Sequence, residues 1–373
     1  MESHSLVGSQ LRQCAASALL FALLMCAFSN EAFAAGAPSP FGEGMPIALW
    51  RSHAASQDLK SNDSTSAMNA PISAGGIAIA SNVSAGCALW SWKWNGKEFL
   101  NQRDFGRLIQ SSITVSRGDF IPNPTEAGDR YSTPDMRPSE KHGSPCVRIA
   151  TVTAPTVEFP WASAASPVQS TRAVPLEWTP GNFSGGGPRS AMVWKDLLIG
   201  KDITLNYNNM GPVAKYTTVI RVPRCDAACS PVNAEIPTGY MTGEFEFQCV
   251  YDAKTHECRP ISLQPNGTPI GVFPASGYGG VILATRDHRF AMGIYGVSTQ
   301  VGGSITMPGG GISLYHFGAS DGSEPTAANT YKWAAHGSSA FVDRDILFNV
   351  YLASGTLDAV ETLMNALYGA GAK

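Results

Sequence analysis

A large antiparallel β-sandwich closed by one C-terminal helix is the fold class this sequence predicts, on three observations. Short apolar or alternating segments recur along the chain, separated by Gly, Pro, Asn and Asp. Only 15% of residues are charged, while Gly (38) and Pro (25) are abundant, which suits strands and turns better than long surface helices. A single stretch, at the end, has helical periodicity.

The elements follow in chain order. Residues 1–34 read as a signal peptide: Arg12, an apolar run from Ala15 to Phe28, and Ala32-Phe33-Ala34 as a cleavage site. The mature chain is expected to begin near Ala35 and to be secreted or periplasmic. The run is too short for a spanning helix, and no later stretch is apolar enough, so no membrane span is expected in the mature chain. Residues 35–74 are rich in Ser, Ala, Pro and Gly and read as a flexible lead-in. Residues 75–373 read as one sandwich domain, with Gly76–Ala80 its first strand.

Trp90-Ser91-Trp92-Lys93-Trp94 then reads as a strand with three indoles on one face, because side chains alternate along a strand. Asn95-Gly96 predicts a two-residue hairpin turn, since both residues tolerate positive φ. A second strand leads into a polar run holding Asn101, Asp104, Arg107 and Gln110. Leu108–Ser116 is the next strand. The region from Arg117 to Pro145 is a long irregular loop, and loops of that length inside a compact domain tend to carry function. Val147–Val152 is a strand, and Ala154–Pro175 a Pro/Ser/Ala-rich connection. Ala191–Ile199 and Ile203–Tyr207 read as a hairpin turning at Gly200-Lys201-Asp202. Strands follow at Tyr216–Val222, at Tyr240–Phe247 within a cysteine-bearing excursion from Pro223 to Pro260, at Gly280–Thr285 and at Phe290–Tyr295. Ile312–Phe317 and Ile346–Leu352 complete the strand set. In Gly355–Tyr368, Thr356 can cap a helix whose Leu357, Val360, Leu363, Met364 and Leu367 form one apolar stripe.

Eight cysteines are present, and Cys14 and Cys26 leave with the signal. Six in an oxidising compartment suggest disulfides; local proximity pairs Cys87 with Cys146, Cys225 with Cys229, and Cys249 with Cys258. The spacings C-x3-C and C-x8-C do not match common zinc sites. Net charge is −3 with no basic block, which argues against nucleic acid as a partner. The sequence has no G-x-S-x-G elbow, phosphate-cradling loop or H-E-x-x-H motif, so no cofactor or metal is expected.

Candidate chemistry gathers in three places. Trp94, beside the turn, can stack on a sugar ring; the other indoles suit a core. Asp104 and Arg107 end the hairpin, with Asn101 and Gln110 adding amides. The guanidinium can hold sugar hydroxyls or a uronate carboxylate through paired hydrogen bonds, while the same pair also reads as a structural ion pair. The loop Asn123–Asp129 carries Glu126, which with Asp104 can share acid and base roles across a glycosidic bond; the loop also reads as a solvated surface loop or as a calcium site built from Asp and Asn oxygens without EF-hand spacing. A lyase instead needs a base beside an arginine, and His142 with Tyr315 or His316 can serve if the loop folds over the sheet.

Gly106-Arg107-Leu108-Ile109-Gln110 resembles the Gly-Arg-x-x-Asn segment of galactose mutarotase-like β-sandwich proteins, and Asn95–Asn101 is similar to the hairpin that precedes it there. The resemblance covers residues 90–110. It implies a supersandwich fold and a sugar contact at Arg107. The family's catalytic histidine pair and late glutamate motif have no counterpart in this chain, so epimerase chemistry is not implied. The expectation is a secreted carbohydrate-active protein acting on a poly- or oligosaccharide as a hydrolase or lyase. The alternative is a non-catalytic glycan-binding or structural envelope protein on the same scaffold.

Overall fold

Two antiparallel sheets face one another across a shared apolar core in the computed structural model, which describes residues 68–82, 86–102, 108–115, 146–155, 159–173, 198–221, 232–272, 278–301, 304–306, 311–318, 329–339 and 345–372. The chain builds the first sheet with β1 (Met68–Ala74), β2 (Ile77–Asn82), β3 (Leu89–Trp94), β4 (Lys97–Glu98) and β5 (Ile109–Val115). It crosses to the second for β6 (Cys146–Val152), β7 (Val168–Ala173), β8 (Leu198–Thr204) and β9 (Val213–Arg221). It returns for β10 (Val232–Thr242), crosses for β11 (Phe247–Asp252) and β12 (Glu257–Ile261), and returns for β13 (Ile270–Val272). The second sheet then gains β14 (Gly279–Ala284), β15 (Ala291–Val301) and β16 (Ser304–Thr306), and the first gains β17 (Ile312–Phe317) and β18 (Thr330–Ser339). The second sheet is completed by β19 (Asp345–Gly355), and α1 (Leu357–Gly369) follows. Strand order is β1-β2-β3-β5-β10-β18-β17-β13 in the first sheet and β12-β11-β14-β15-β19-β9-β8-β7-β6 in the second, with β4 paired to β3 and β16 to β15.

Around β14, β15 and β19 the second sheet is covered on both faces, which fits the near-continuous apolar runs of those strands. In β14, Val281 and Leu283 enter the core between the sheets. Ile282 and Ala284 enter a second core under α1, with Val360, Met364 and Leu367. Gly293 on β15 lets the helix come close: a Cβ there would lie 2.6 Å from Val360 Cγ1 and 2.7 Å from Met364 Sδ. Thr356 caps α1 as expected, its Oγ1 accepting from the Ala359 N–H at 3.3 Å.

The tryptophan hairpin forms with the expected turn: Trp94 pairs with Lys97, and Asn95 and Gly96 have φ of 47° and 80°. The three indoles do not share a face, however. Ser81 pairs with Leu89 while Ala80 pairs with Ser91, so Trp90 is an extra residue that re-phases the strand. Leu89 and Trp92 both point into the inter-sheet core, and Trp90 packs on Ala88 and Leu108. The Glu98 carboxylate holds this kink. It accepts from Ser91 Oγ at 2.5 Å, the Trp92 N–H at 2.9 Å, and the Phe99 and Leu100 N–H groups at 3.1 Å each.

Four element expectations need correction. The sheet starts at Met68, inside the stretch read as a lead-in, because β1 pairs with β2. Gly200-Lys201-Asp202 is not a turn but the middle of β8, paired throughout with β7 and β9. Tyr240–Phe247 is not one strand: β10 ends at Thr242 and β11 begins at Phe247 in the other sheet. Two polar strands, β7 and β18, lie where the sequence suggests connections.

Cys249 and Cys258 form a disulfide across β11 and β12, as proximity predicts, with Cα atoms 5.5 Å apart. Cys87 is also disulfide-bonded; the side chain of Cys146 is outside the described residues, as are Cys225 and Cys229. Residues 1–67 and residues 116–145 are likewise outside them. No helix among the described residues is long and apolar enough to cross a membrane.

Candidate functional site

The strongest gathering of chemical groups lies on the outer face of the first sheet, over β10, β18 and β17. Alternation decides what stands there. In β18, Tyr331, Trp333 and Ala335 point into the core, so Lys332, Ala334 and His336 point outward. In β17, Ile312 and Leu314 point inward, so Ser313, Tyr315 and Phe317 point outward.

β10 needs a further device, because Glu235 and Tyr240 have opposite parity. Its register shifts between Glu235 and Thr238, where Ile236-Pro237 intervenes. Glu235 then sits opposite His336, Thr238 opposite Ala334, and Tyr240 opposite Lys332, all on one face. On the neighbouring β5, Gln110 sits opposite Thr238.

The contacts run across the strands. Lys332 Nζ donates to both oxygens of Glu235, at 2.8 and 3.0 Å. The same ammonium lies 5.5 Å from the centre of the Tyr240 ring. Tyr240 stacks on Phe317 at 6.1 Å and 25°, and Phe317 meets Tyr315 at 4.3 Å. Ser313 Oγ and His336 Nε2 are 2.7 Å apart. Burial pushes the His336 pKa below the ordinary histidine value, and Lys332 adds to this while Glu235 opposes it. The imidazole is therefore neutral at neutral pH and can accept a proton.

Three of the sequence-predicted residues belong to this face. Tyr315 is part of the aromatic row, Gln110 stands on β5, and Asn101 lies beside it. Asn101 donates its N–H to the Tyr240 carbonyl at 2.9 Å and its Nδ2 to Thr330 Oγ1 at 2.6 Å. Two others stand elsewhere. Trp94 is half-buried on the inward side of β3, edge-on to Phe290 at 6.0 Å, because its partner across the strand is the core residue Ile77. His316 is 8% exposed and turned the opposite way from Tyr315; its ring stacks on Tyr331 at 4.2 Å, and its Nε2 bonds Asn329 Oδ1. Asp104, Arg107, Glu126 and His142 lie outside the described residues.

Sequence reasoning missed Glu235, Tyr240, Phe317, Lys332 and His336 as site residues. The signal for Lys332 was present: Tyr331-Lys332-Trp333 alternates aromatic, cation, aromatic. The Ala-Ala-His-Gly-Ser-Ser that follows conceals the strand. Among the described residues, no group of three His, Cys, Asp or Glu side chains is placed to hold a metal ion.

No family model and no curated protein sequence matches this chain. Among solved structures, it is similar to a galactose mutarotase-like protein from Clostridium acetobutylicum, at 7% identity and a TM-score of 0.40, covering 77% of this chain and 95% of that one. It is similar to a galactose mutarotase related enzyme from Lactobacillus acidophilus, at 9% identity and a TM-score of 0.40, covering 77% of this chain and 97% of that one. A third likeness is to a heparan sulfate lyase from Pedobacter heparinus, at 6% identity and a TM-score of 0.35, covering 75% of this chain and 33% of that one. The residues of this chain, not these likenesses, carry the functional reading.

Proposed function

We propose that this protein is an exported carbohydrate-active protein that binds a sugar chain on the outer face of its first sheet. The observation that carries the reading is the row Tyr240, Phe317 and Tyr315 standing beside Lys332, Glu235 and the Ser313–His336 pair. Aromatic rings meet the C–H faces of sugar rings, and fixed amides, hydroxyls and charges beside them bond the hydroxyl groups. Asn101 and Gln110 supply the amides. Arg107, three residues before Gln110 in the chain, is the sugar-orienting guanidinium in this reading.

Of the two cleavage reactions, elimination fits this face better than hydrolysis. Hydrolysis commonly uses a pair of carboxylates. Among the described residues β10, β17 and β18 carry one carboxylate, Glu235, already engaged by Lys332. Elimination from a uronate needs a base, a proton donor for the leaving oxygen and a cation beside the carboxylate. Neutral His336 takes the proton from the carbon next to the carboxylate. The C–O bond on the adjoining carbon breaks, a double bond forms between the two carbons, and the departing oxygen takes a proton from a tyrosine hydroxyl such as Tyr315. In this reading Arg107 offsets the charge that develops on the carboxylate, since Lys332 is already paired with Glu235.

Incubation with a panel of polyuronates and neutral polysaccharides tests this. Ultraviolet absorbance from an unsaturated uronate, lost in His336→Ala, is the expected result. New reducing ends without that absorbance make the protein a hydrolase. Binding without cleavage supports the glycan-binding alternative. Tyr315→Ala should weaken sugar binding by about tenfold, the scale of one aromatic contact, read by titration calorimetry. No binding to any polysaccharide by the wild type overturns the carbohydrate reading.

A further inference from the structure

The exposed indole of Trp161 lies in the other sheet's territory, on the loop between β6 and β7. At 55% exposure it is the most open large apolar side chain among the described residues. Exposed tryptophans are usually mobile; this one is held on two edges. Its Nε1–H donates to Thr204 Oγ1 at 3.3 Å, and its ring meets Phe159 edge-on at 5.7 Å and 88°. Phe159 is itself buried with Ala162 and Val168.

The loop beneath is locked. Ser163 and Ser166 exchange backbone hydrogen bonds at 3.1 and 3.2 Å. Asn206 donates its Nδ2 to the Ala165 carbonyl at 2.9 Å, and Ser166 Oγ donates to the Asn206 carbonyl at 3.1 Å. The indole plane is therefore fixed while more than half of its surface meets water.

We propose that Trp161 is a carbohydrate-stacking platform, a second glycan contact separate from the Tyr240–Phe317 face. The surroundings choose the ligand class. The side chains seen to hydrogen-bond to or within this loop are those of Thr204, Ser163, Ser166 and Asn206, hydroxyl and amide groups that suit sugar hydroxyls, and one cation, Lys215, stands opposite Thr204 on β9 and over the Tyr207 ring. A lipid surface calls for a wider apolar face with cations around it. A protein partner calls for a ring of contacts that excludes water around the anchor. A single flat ring, anchored before binding and flanked by hydroxyl and amide groups, loses little freedom when a sugar stacks on it. The inference does not depend on the first-sheet reading, since the two use different sheets and no common residue.

The test uses the full chain in native gels cast with a polyuronate or with a neutral β-glucan, where binding retards migration. Trp161→Ala should reduce retardation in at least one gel by about five- to tenfold in apparent affinity. Trp161→Tyr should restore most of it, and Thr204→Val, which removes the indole anchor, should give an intermediate loss. The indole is exposed, so these variants are expected to fold; circular dichroism confirms it. Tyr315→Ala in the same gels separates the two sites: its effect should add to that of Trp161→Ala. Equal retardation of wild type and Trp161→Ala in every gel overturns the proposal. So does Trp161-dependent binding to phosphatidylcholine vesicles, or Trp161-dependent self-association in sedimentation, without any glycan effect.

Discussion

At the scale of single residues, His336 is the titratable group of the proposed face whose pKa departs from its ordinary value. Its pKa is lowered, first by burial and then by Lys332, against the opposing pull of Glu235. Above the ordinary value of about 6.5 the imidazole is neutral in both the folded and the unfolded chain, and contributes nothing to pH dependence. As pH falls through that value the unfolded chain takes up the proton first, so folding stability declines until the lower folded pKa is passed. Urea midpoints measured from pH 7 to pH 5 should therefore fall more steeply in the wild type than in His336→Gln. Equal slopes would show that the ring is not shielded. In turnover, the acid limb of the rate profile should lie below the ordinary histidine value, since only the neutral ring acts as a base.

At the scale of elements, β7 and β8 show how a strand of polar residues is stabilised. Val-Gln-Ser-Thr-Arg-Ala is buried along its whole length. Arg172 and Asp202 form an ion pair at 2.7 Å with side chains 3% and 7% exposed, and Ser170 Oγ adds a bond to the same carboxylate at 2.7 Å. Gly200 lies under the arginine; a Cβ there would stand 2.8 Å from Arg172 Cδ. On the other face Lys201 Nζ bonds the Cys87 carbonyl, and Gln169 Oε1 accepts from Ser81 Oγ at 2.6 Å, so polar contacts bridge the two sheets at this edge. Asp202→Ala removes the carboxylate from beside a buried guanidinium and should cost about 3–5 kcal/mol. The double variant Arg172→Met/Asp202→Leu should recover at least half of that loss, because it removes both desolvated charges. Urea denaturation of the three proteins measures it. A double variant as unstable as the single one would mean that the pair specifies the packing and does more than neutralise itself.

At the scale of the whole molecule, the two sheets meet through apolar packing crossed by polar ties. Trp92 is fully buried in that core, and its indole N–H reaches across to Ser354 Oγ at 2.9 Å, linking β3 in one sheet to β19 in the other. Trp92→Ala should cost about 3–5 kcal/mol through the cavity it opens. Trp92→Phe should cost about 1–3 kcal/mol, since it leaves the serine without its donor and part of the volume empty. Denaturant titration distinguishes them, and equal losses would assign the whole effect to the hydrogen bond.

The sequence by itself determined the class: an all-β chain with a capped helix at its end, an Asn95-Gly96 hairpin turn, and the Cys249–Cys258 bridge. These are local properties, written in turn chemistry, periodicity and short separations. It also brought Asn101, Gln110 and Tyr315 forward, each of which stands on the candidate face. It could not place β7, β8 or β18, because their polar residues acquire partners only when distant strands arrive. Lys201 reads as a turn residue until Cys87 lies beneath it. Nor could it assemble Glu235, Tyr240, Lys332 and His336, since bulges decide which face a residue takes and the register of β10 against β18 decides what stands beside it. Trp90 and Glu235 share that lesson: one extra residue in a strand reassigns its side chains, and only the tertiary pairing shows where it falls.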